Sequence, residues 1–232
     1  MKRAILALAL VAGACLSVPA WSQEMMETVV VTGTRSDDSE SIPHVVLTRR
    51  ADHVITSIVV TCDTRDGVKR SSEMKDTLRG LLREAAKVKG LSLSIEGKVL
   101  RDFTEDRISS VIGSDARADT SRATIVVKTV ITPEDTFDSA TDRISAFVKR
   151  APVFGRSEIR NDKEWELTVV GPQQYHSAVV AKVAANAKEI SAMFGPEYGV
   201  HIDGLQHPLQ WYRAGQLDLA LYVPYSMTVQ PR

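Results

Sequence analysis

Arg122-Ala123-Thr124-Ile125-Val126-Val127-Lys128-Thr129-Val130-Ile131 is the stretch that decides the fold, and Thr132-Pro133-Glu134-Asp135 follows it directly. The β-branched residues Ile125, Val126, Val127, Val130 and Ile131 are stiff at χ1 and suit a pleated, buried surface, which predicts a strand. Thr132 then offers an N-cap, Pro133 a first helical residue and Glu134-Asp135 the acid that a helix dipole favours in its first turn. A helix is expected to run from there to about Lys149, with Phe137, Ile144, Phe147 and Val148 buried.

Working outward, the upstream chain carries the same alternation of sheet and helix. The run 54–61, with Ile55, Ile58, Val59 and Val60, predicts a strand. Asp63-Thr64-Arg65-Asp66-Gly67 reads as a turn. Met74, Leu78, Leu81, Leu82, Ala85 and Ala86 then form one helical stripe over 72–89, stopped at Gly90. Leu91, Leu93 and Ile95 alternate with polar residues as a strand does. The polar stretch 97–120 is read as a hairpin of 99–103 and 108–112 followed by a loop over 113–120.

Downstream, 157–160 and Trp165, Leu167 and Val169 read as strands. Gly171-Pro172 opens a long helix with the stripe Tyr175, Val179, Val183, Ala187, Ile190 and Phe194, and Gly195-Pro196 ends it. Alanines at 178, 181, 184 and 185 allow close approach of a neighbour. Val200 and Ile202, then 206–213 and 217–229, finish the chain as strands, with Pro224 marking an edge or a bulge. The expected architecture is α+β, with antiparallel sheets and about three amphipathic helices packed on one face.

The N-terminus bounds compartment and partners. Lys2 and Arg3, an apolar run over 4–14 and the small-x-small step Ala20-Trp21-Ser22 read as a secretory signal peptide over 1–22. The apolar run is too short to span a bilayer, and no later segment is long and apolar enough, so no transmembrane segment is expected after cleavage. The whole chain of 232 residues balances 29 Lys and Arg against 29 Asp and Glu. Losing Lys2 and Arg3 tips the remainder slightly negative, which leaves no field to gather nucleic acid. Roughly 210 residues remain, enough for a core in one domain or two small lobes, about 44–120 and 121–232. Cys62 would then be the one cysteine left, so no internal disulfide is expected and stability must come from packing or self-association.

Between leader and folded chain lie Glu27-Thr28-Val29-Val30-Val31-Thr32-Gly33 and the acidic, serine-rich linker Ser36-Asp37-Asp38-Ser39-Glu40-Ser41. The first stretch suits a strand of the chain's own sheet. It also resembles the TonB box of TonB-dependent outer-membrane receptors, which pairs as an added strand with an energy-coupling protein. A receptor would need a large β-barrel behind it, and this chain is too short and too helical to supply one. Both pairings of Glu27 to Gly33, within the fold or with a TonB-like partner, stay open at this point.

Chemistry is sparse. His44, His53, His176, His201 and His207 are scattered without a completing cysteine or carboxylate pair, so no metal site is expected. Cys62 ends a β-branched strand and reads as a buried small hydrophobe. Glu105 and Asp106 read as a solvated turn. Trp211, Tyr212, Tyr222 and Tyr225 read as core, or as an exposed aromatic patch for a partner. No phosphate loop or nucleophile elbow appears, so neither catalytic residue nor cofactor is assigned.

Glu164-Trp165-Glu166-Leu167-Thr168-Val169-Val170-Gly171-Pro172, the alanine-bearing helix behind it, and Gly195 with Val200 resemble the second half of a SIMPL domain. The strand at 122–131 with its helix resembles the central part of that family. Ala51-Asp52-His53-Val54-Ile55 resembles its early aspartate-bearing strand, and 28–33 its opening strand. The resemblance implies a secreted protein of Gram-negative bacteria, periplasmic or outer-membrane-associated, without a settled enzymatic activity, whose relatives assemble into rings. The expectation is therefore a non-enzymatic envelope protein that forms homo-oligomers. The alternative is a periplasmic adaptor engaging TonB-type machinery through 27–35.

Overall fold

A computed structural model describes residues 44–97 and 99–232. The leader, the Glu27 to Gly33 stretch and the acidic linker lie outside the described residues. The elements in chain order are β1 (Leu47–Arg50), β2 (His53–Cys62), α1 (Gly67–Ala85), β3 (Leu91–Ile95), β4 (Arg101–Asp102), α2 (Ile108–Val111), β5 (Gly113–Ser114) and β6 (Ser121–Val130). They continue with α3 (Phe137–Arg150), β7 (Ser157–Asn161), β8 (Glu166–Thr168), α4 (His176–Phe194), β9 (Tyr198–Asp203), β10 (Gln210–Arg213), β11 (Asp218–Tyr222) and β12 (Ser226–Pro231).

The β-branched run from Arg122 lies in β6, which pairs along its whole length with β2, from His53 opposite Val130 to Cys62 opposite Ser121. These two strands are the middle of a seven-stranded antiparallel sheet ordered β4-β3-β6-β2-β7, with β5 also on β6 and β8 also on β2. The fold is thus α+β with antiparallel sheets. Segments 44–120 and 121–232 both contribute strands to this sheet.

Alternation along β2 and β6 sends Val54, Ile58, Val60, Ala123, Ile125 and Val127 to one face, where α1 and α3 cover them. Met74, Leu78 and Leu81 of α1 and Ile144 and Phe147 of α3 are fully buried there. The third long helix takes a different place: α4 packs on β1, β9 and β11. A second sheet, β1-β11-β10, buries Trp211, Leu219 and Leu221 in the same continuous core, and β9 pairs with β12 as a separate ribbon. Trp211 and Tyr222 are therefore core residues, with Tyr212 packed against Tyr222 at 6.1 Å between ring centroids.

Several boundaries differ from expectation, and three of them have a clear local reason. Helix α1 begins at Gly67, because Asp66 accepts the Lys69 amide at 2.8 Å and caps it. Thr132 is not an N-cap. Its amide and hydroxyl both donate to Asp135, at 2.8 and 3.0 Å, closing a turn, and Thr136 caps α3 in a reciprocal capping box with Ser139. The 108–112 segment is no hairpin strand. Ile108, Val111 and Ile112 sit at helical spacing, and the chain there forms the short helix α2 after a 3-10 turn over Glu105–Arg107.

Candidate functional site

The residues proposed for partner binding, Glu27, Thr28, Val29, Val30, Val31, Thr32 and Gly33, lie outside the described residues. Among the described residues no group of His, Cys, Asp and Glu is arranged to hold a metal ion. His201 instead sits 3.0 Å from Asp203, and His207 is 3.2 Å from the Pro224 carbonyl. Glu105 and Asp106 lie at the surface, Glu105 paired with Arg79 at 3.1 Å.

Cys62 is buried and its thiol is committed. It donates to the Glu73 carboxylate at 3.4 Å, which also takes the Thr64 hydroxyl at 2.5 Å and the Arg156 amide at 3.2 Å. These donors, that of Thr64 above all, hold the Glu73 carboxyl below its ordinary value. The carboxylate occupies the space a side chain at Gly155 would need: a Cβ there would come within 1.9 Å of Glu73 Cδ. The arrangement ties α1 to the loop before β7.

A second tie centres on Asp52. Its carboxylate receives both guanidinium nitrogens of Arg49, at 2.6 and 3.1 Å, and the Val170 amide at 2.8 Å. Its backbone bonds Thr168 and Ile131, so one residue joins β1, β2, β6 and β8. Arg49 in turn lies 4.5 Å over the Tyr175 ring, ahead of α4. This aspartate thus ties several strands together.

Two surfaces remain where the fold presents unusual groups. The first is C-terminal. Along its 19 residues α4 buries Val179, Val183 and Ala187, while Ala178, Ala181, Ala184 and Ala185 face outward. At its end Met193 is 81% and Phe194 55% exposed, and Phe194 meets exposed Tyr198 of β9 at 6.1 Å. Strands β9 and β12 pair with each other, and no other described strand borders them.

The second surface is the face of the large sheet away from α1 and α3. Ile55, Val126 and Leu100 form a small apolar floor there. Around it cross-strand neighbours are charged or hydroxylated, as alternation requires: Glu166 stands opposite Ile55, and Ile55 opposite Lys128. Glu96, Glu164 and Glu166 line a 140 Å³ hollow over this floor. Burial, then the charges of Glu164 and Glu96, push the Glu166 carboxyl above its ordinary value.

Beside that hollow the sheet edge is notched. On one edge β6 pairs with β3 at 126–129 and with β5 at Ser121 and Arg122, leaving Ala123, Thr124 and Ile125 without a strand partner there. A 640 Å³ groove opens at the notch, lined by Arg101, Arg107 and Arg122, with Ser110, Ser114, Thr124 and Glu96. None of these arginines stood out in sequence. Arg101 and Arg107 come from the polar stretch 97–120, whose local structure the pattern misread, and Arg122 comes from the well-read strand β6; only the fold brings them to one groove.

No protein-family model matches the chain, and no curated protein matches it in sequence. A solved structure described as a hydrolase from Listeria innocua is 12% identical, covering 78% of this chain and 91% of that one, with a TM-score of 0.16. A superposition that poor carries no argument about fold or activity.

Proposed function

We propose that this chain is a non-enzymatic, secreted cell-envelope protein of SIMPL-like type that assembles with further copies of itself. The observation that carries the reading is α4, which turns a small-residue face outward and ends in the exposed group Met193, Phe194 and Tyr198. Exposed apolar side chains gathered beside a ribbon that no other described strand borders are what an association surface needs, and close helix approach needs small side chains. The occupant is a second copy: the chain as a whole is charge-balanced, so association does not require a partner of opposite charge. The buried, committed thiol of Cys62 and the strand-tying role of Asp52 support a scaffold over an enzyme.

Light scattering on the processed chain tests this. The expected result is a mass of several subunits at micromolar concentration. Ala181→Glu with Met193→Glu, both at exposed positions, should reduce the mass to one subunit with an unchanged melting curve. A monomeric parent protein refutes the reading. The adaptor alternative keeps its support in the 27–35 sequence. Deleting 24–35 without change in melting or mass, combined with loss of binding to a TonB-type C-terminal domain, would favour it.

A further inference from the structure

The groove at the β6 notch gathers three arginines, Arg101, Arg107 and Arg122, against one carboxylate, Glu96. Arg101 and Arg122 make no ion pair or side-chain hydrogen bond with any described residue, although other arginines nearby do: Arg79 pairs with Asp76 and Glu105, and Arg156 with Asp63. Arg107 is held in place by donating to the Asp102 carbonyl at 3.3 Å, with Asp106 at the margin of contact at 4.0 Å. Glu96, the carboxylate of the lining, stands on the side shared with the acidic hollow. The rest of the polar lining is hydroxyl, from Ser110, Ser114 and Thr124.

Guanidinium groups present planar forks that match phosphate oxygens two at a time, and hydroxyls donate to the oxygens left over. Unpaired guanidinium groups around one concavity suit more than one phosphate, and 640 Å³ exceeds what a single inorganic anion fills. The carboxylates of Glu96, Glu164 and Glu166 repel phosphate from the adjoining hollow and accept hydrogen bonds from hydroxyl groups instead. The charge rimming this sheet face thus changes sign along its length, basic at the notch and acidic at the hollow. A sugar bearing phosphates matches that polarity, with its phosphates on the arginines and its hydroxyls toward the carboxylates.

We propose that Arg101, Arg107 and Arg122 form a binding site for a molecule carrying two phosphate groups, with the neighbouring carboxylates selecting a sugar as its body. The site lies on the sheet face remote from α1 and α3 and does not depend on self-assembly through α4.

Calorimetric titration of the processed chain with inorganic phosphate, pyrophosphate and glucose 1,6-bisphosphate tests the proposal at low and moderate salt. The bisphosphorylated sugar should bind most tightly and inorganic phosphate least, with affinity falling as salt rises. Arg101→Gln with Arg122→Gln should weaken the sugar bisphosphate roughly a hundredfold, since each charge-assisted contact is worth about a factor of ten or more. Both positions are exposed, so the melting curve of the double variant should match the parent. Arg83→Gln, on the exposed side of α1, should change nothing. Equal affinity for pyrophosphate and the sugar bisphosphate would overturn the sugar assignment. Absence of millimolar binding to both, or binding indifferent to the arginine substitutions, would overturn the site. Binding to phosphatidic acid vesicles or to an acidic peptide without binding to either soluble probe would also count against it.

Discussion

Replacing Gly155 by Ala probes the tie between α1 and β7 most directly. Gly155 has φ near +59°, a conformation that costs an L-residue about 1–2 kcal/mol. The added methyl would also lie 1.9 Å from Glu73 Cδ and 2.2–2.3 Å from its oxygens, so the carboxylate has to leave. Leaving breaks its bonds from Thr64, Cys62 and the Arg156 amide, and Thr64 and Cys62 are buried. Overpacking of this kind adds about 1–3 kcal/mol. With about 2–4 °C of melting temperature per kcal/mol at this chain length, the combined loss should lower Tm by roughly 10 °C. Gly90→Ala is the matched control. Its φ is +74°, yet a Cβ there meets the Val130 side chain at an ordinary 3.5 Å, so backbone strain alone should lower Tm by roughly 5 °C. Circular-dichroism melts with urea titrations measure both. A cycle adding Glu73→Ala completes the test, because the double variant with Gly155→Ala should lose less than the two single losses combined. If Gly155→Ala proves no worse than Gly90→Ala, or the cycle shows additivity, the carboxylate does not occupy that space and the reasoning fails.

Phe147→Ala, which empties a fully buried site beneath the sheet, should cost about 3–5 kcal/mol by urea denaturation, without altering β-sheet content. Acid should loosen the same tie that Gly155 guards. The folded Glu73 carboxyl lies below its ordinary 4.5, so its contribution is complete above pH 4.5 and is lost as pH falls through the folded value. Glu73→Gln should accordingly be less stable than the parent at pH 7, with the gap closing as pH falls below 4.5 through the folded value; a gap that does not change with pH would show that charge plays no part. Glu166 has the opposite sign. Its carboxyl is raised, so folding favours the protonated form and stability falls as pH rises from 4.5 through the folded value. Glu166→Gln should raise Tm at pH 7 and leave it unchanged at pH 4; a loss at pH 7 would assign Glu166 an attractive role.

Where a single period ruled a segment, the sequence was sufficient. Most of the β-branched residues of β2 and β6 and most of the stripes of α1 and α3 are buried or half-buried as expected, Val130 and Ala86 being exposed exceptions, because each element turns one face to the main core. Capping was less legible. Thr132-Pro133-Glu134-Asp135 carries every helix-start signal, yet the Asp135 carboxylate also receives Arg143 at 2.5 Å, and this distant partner helps hold the turn closed and pass the cap to Thr136. The 108–112 segment failed as a hairpin strand because Ile108, Val111 and Ile112 fit either period over so short a run. The placement of α4 on the second sheet was equally hidden, since its stripe says which face is buried and not what buries it. Neither the Glu73 tie nor the arginine groove has a local signature. Each joins residues that come together only in the fold: Glu73 of α1 meets the end of β2 and the loop before β7, and Arg122 of β6 lines one groove with Arg101 of β4 and Arg107 ahead of α2.

The pairing of β2 with β6 also governs how the chain reaches this state. His53 has to find Val130, and Cys62 has to find Ser121, across α1, β3, β4, α2 and β5. Closing so long a loop costs entropy before any ladder bond is gained, which places such a sheet among the slower folders. Until β6 has been synthesised, one edge of β2 has no partner, and the other waits longer still for β7 and β8. The most continuous apolar strand among the described residues is therefore open to wrong neighbours for much of its early life, and a binder of unfolded segments would find 53–62 its natural target.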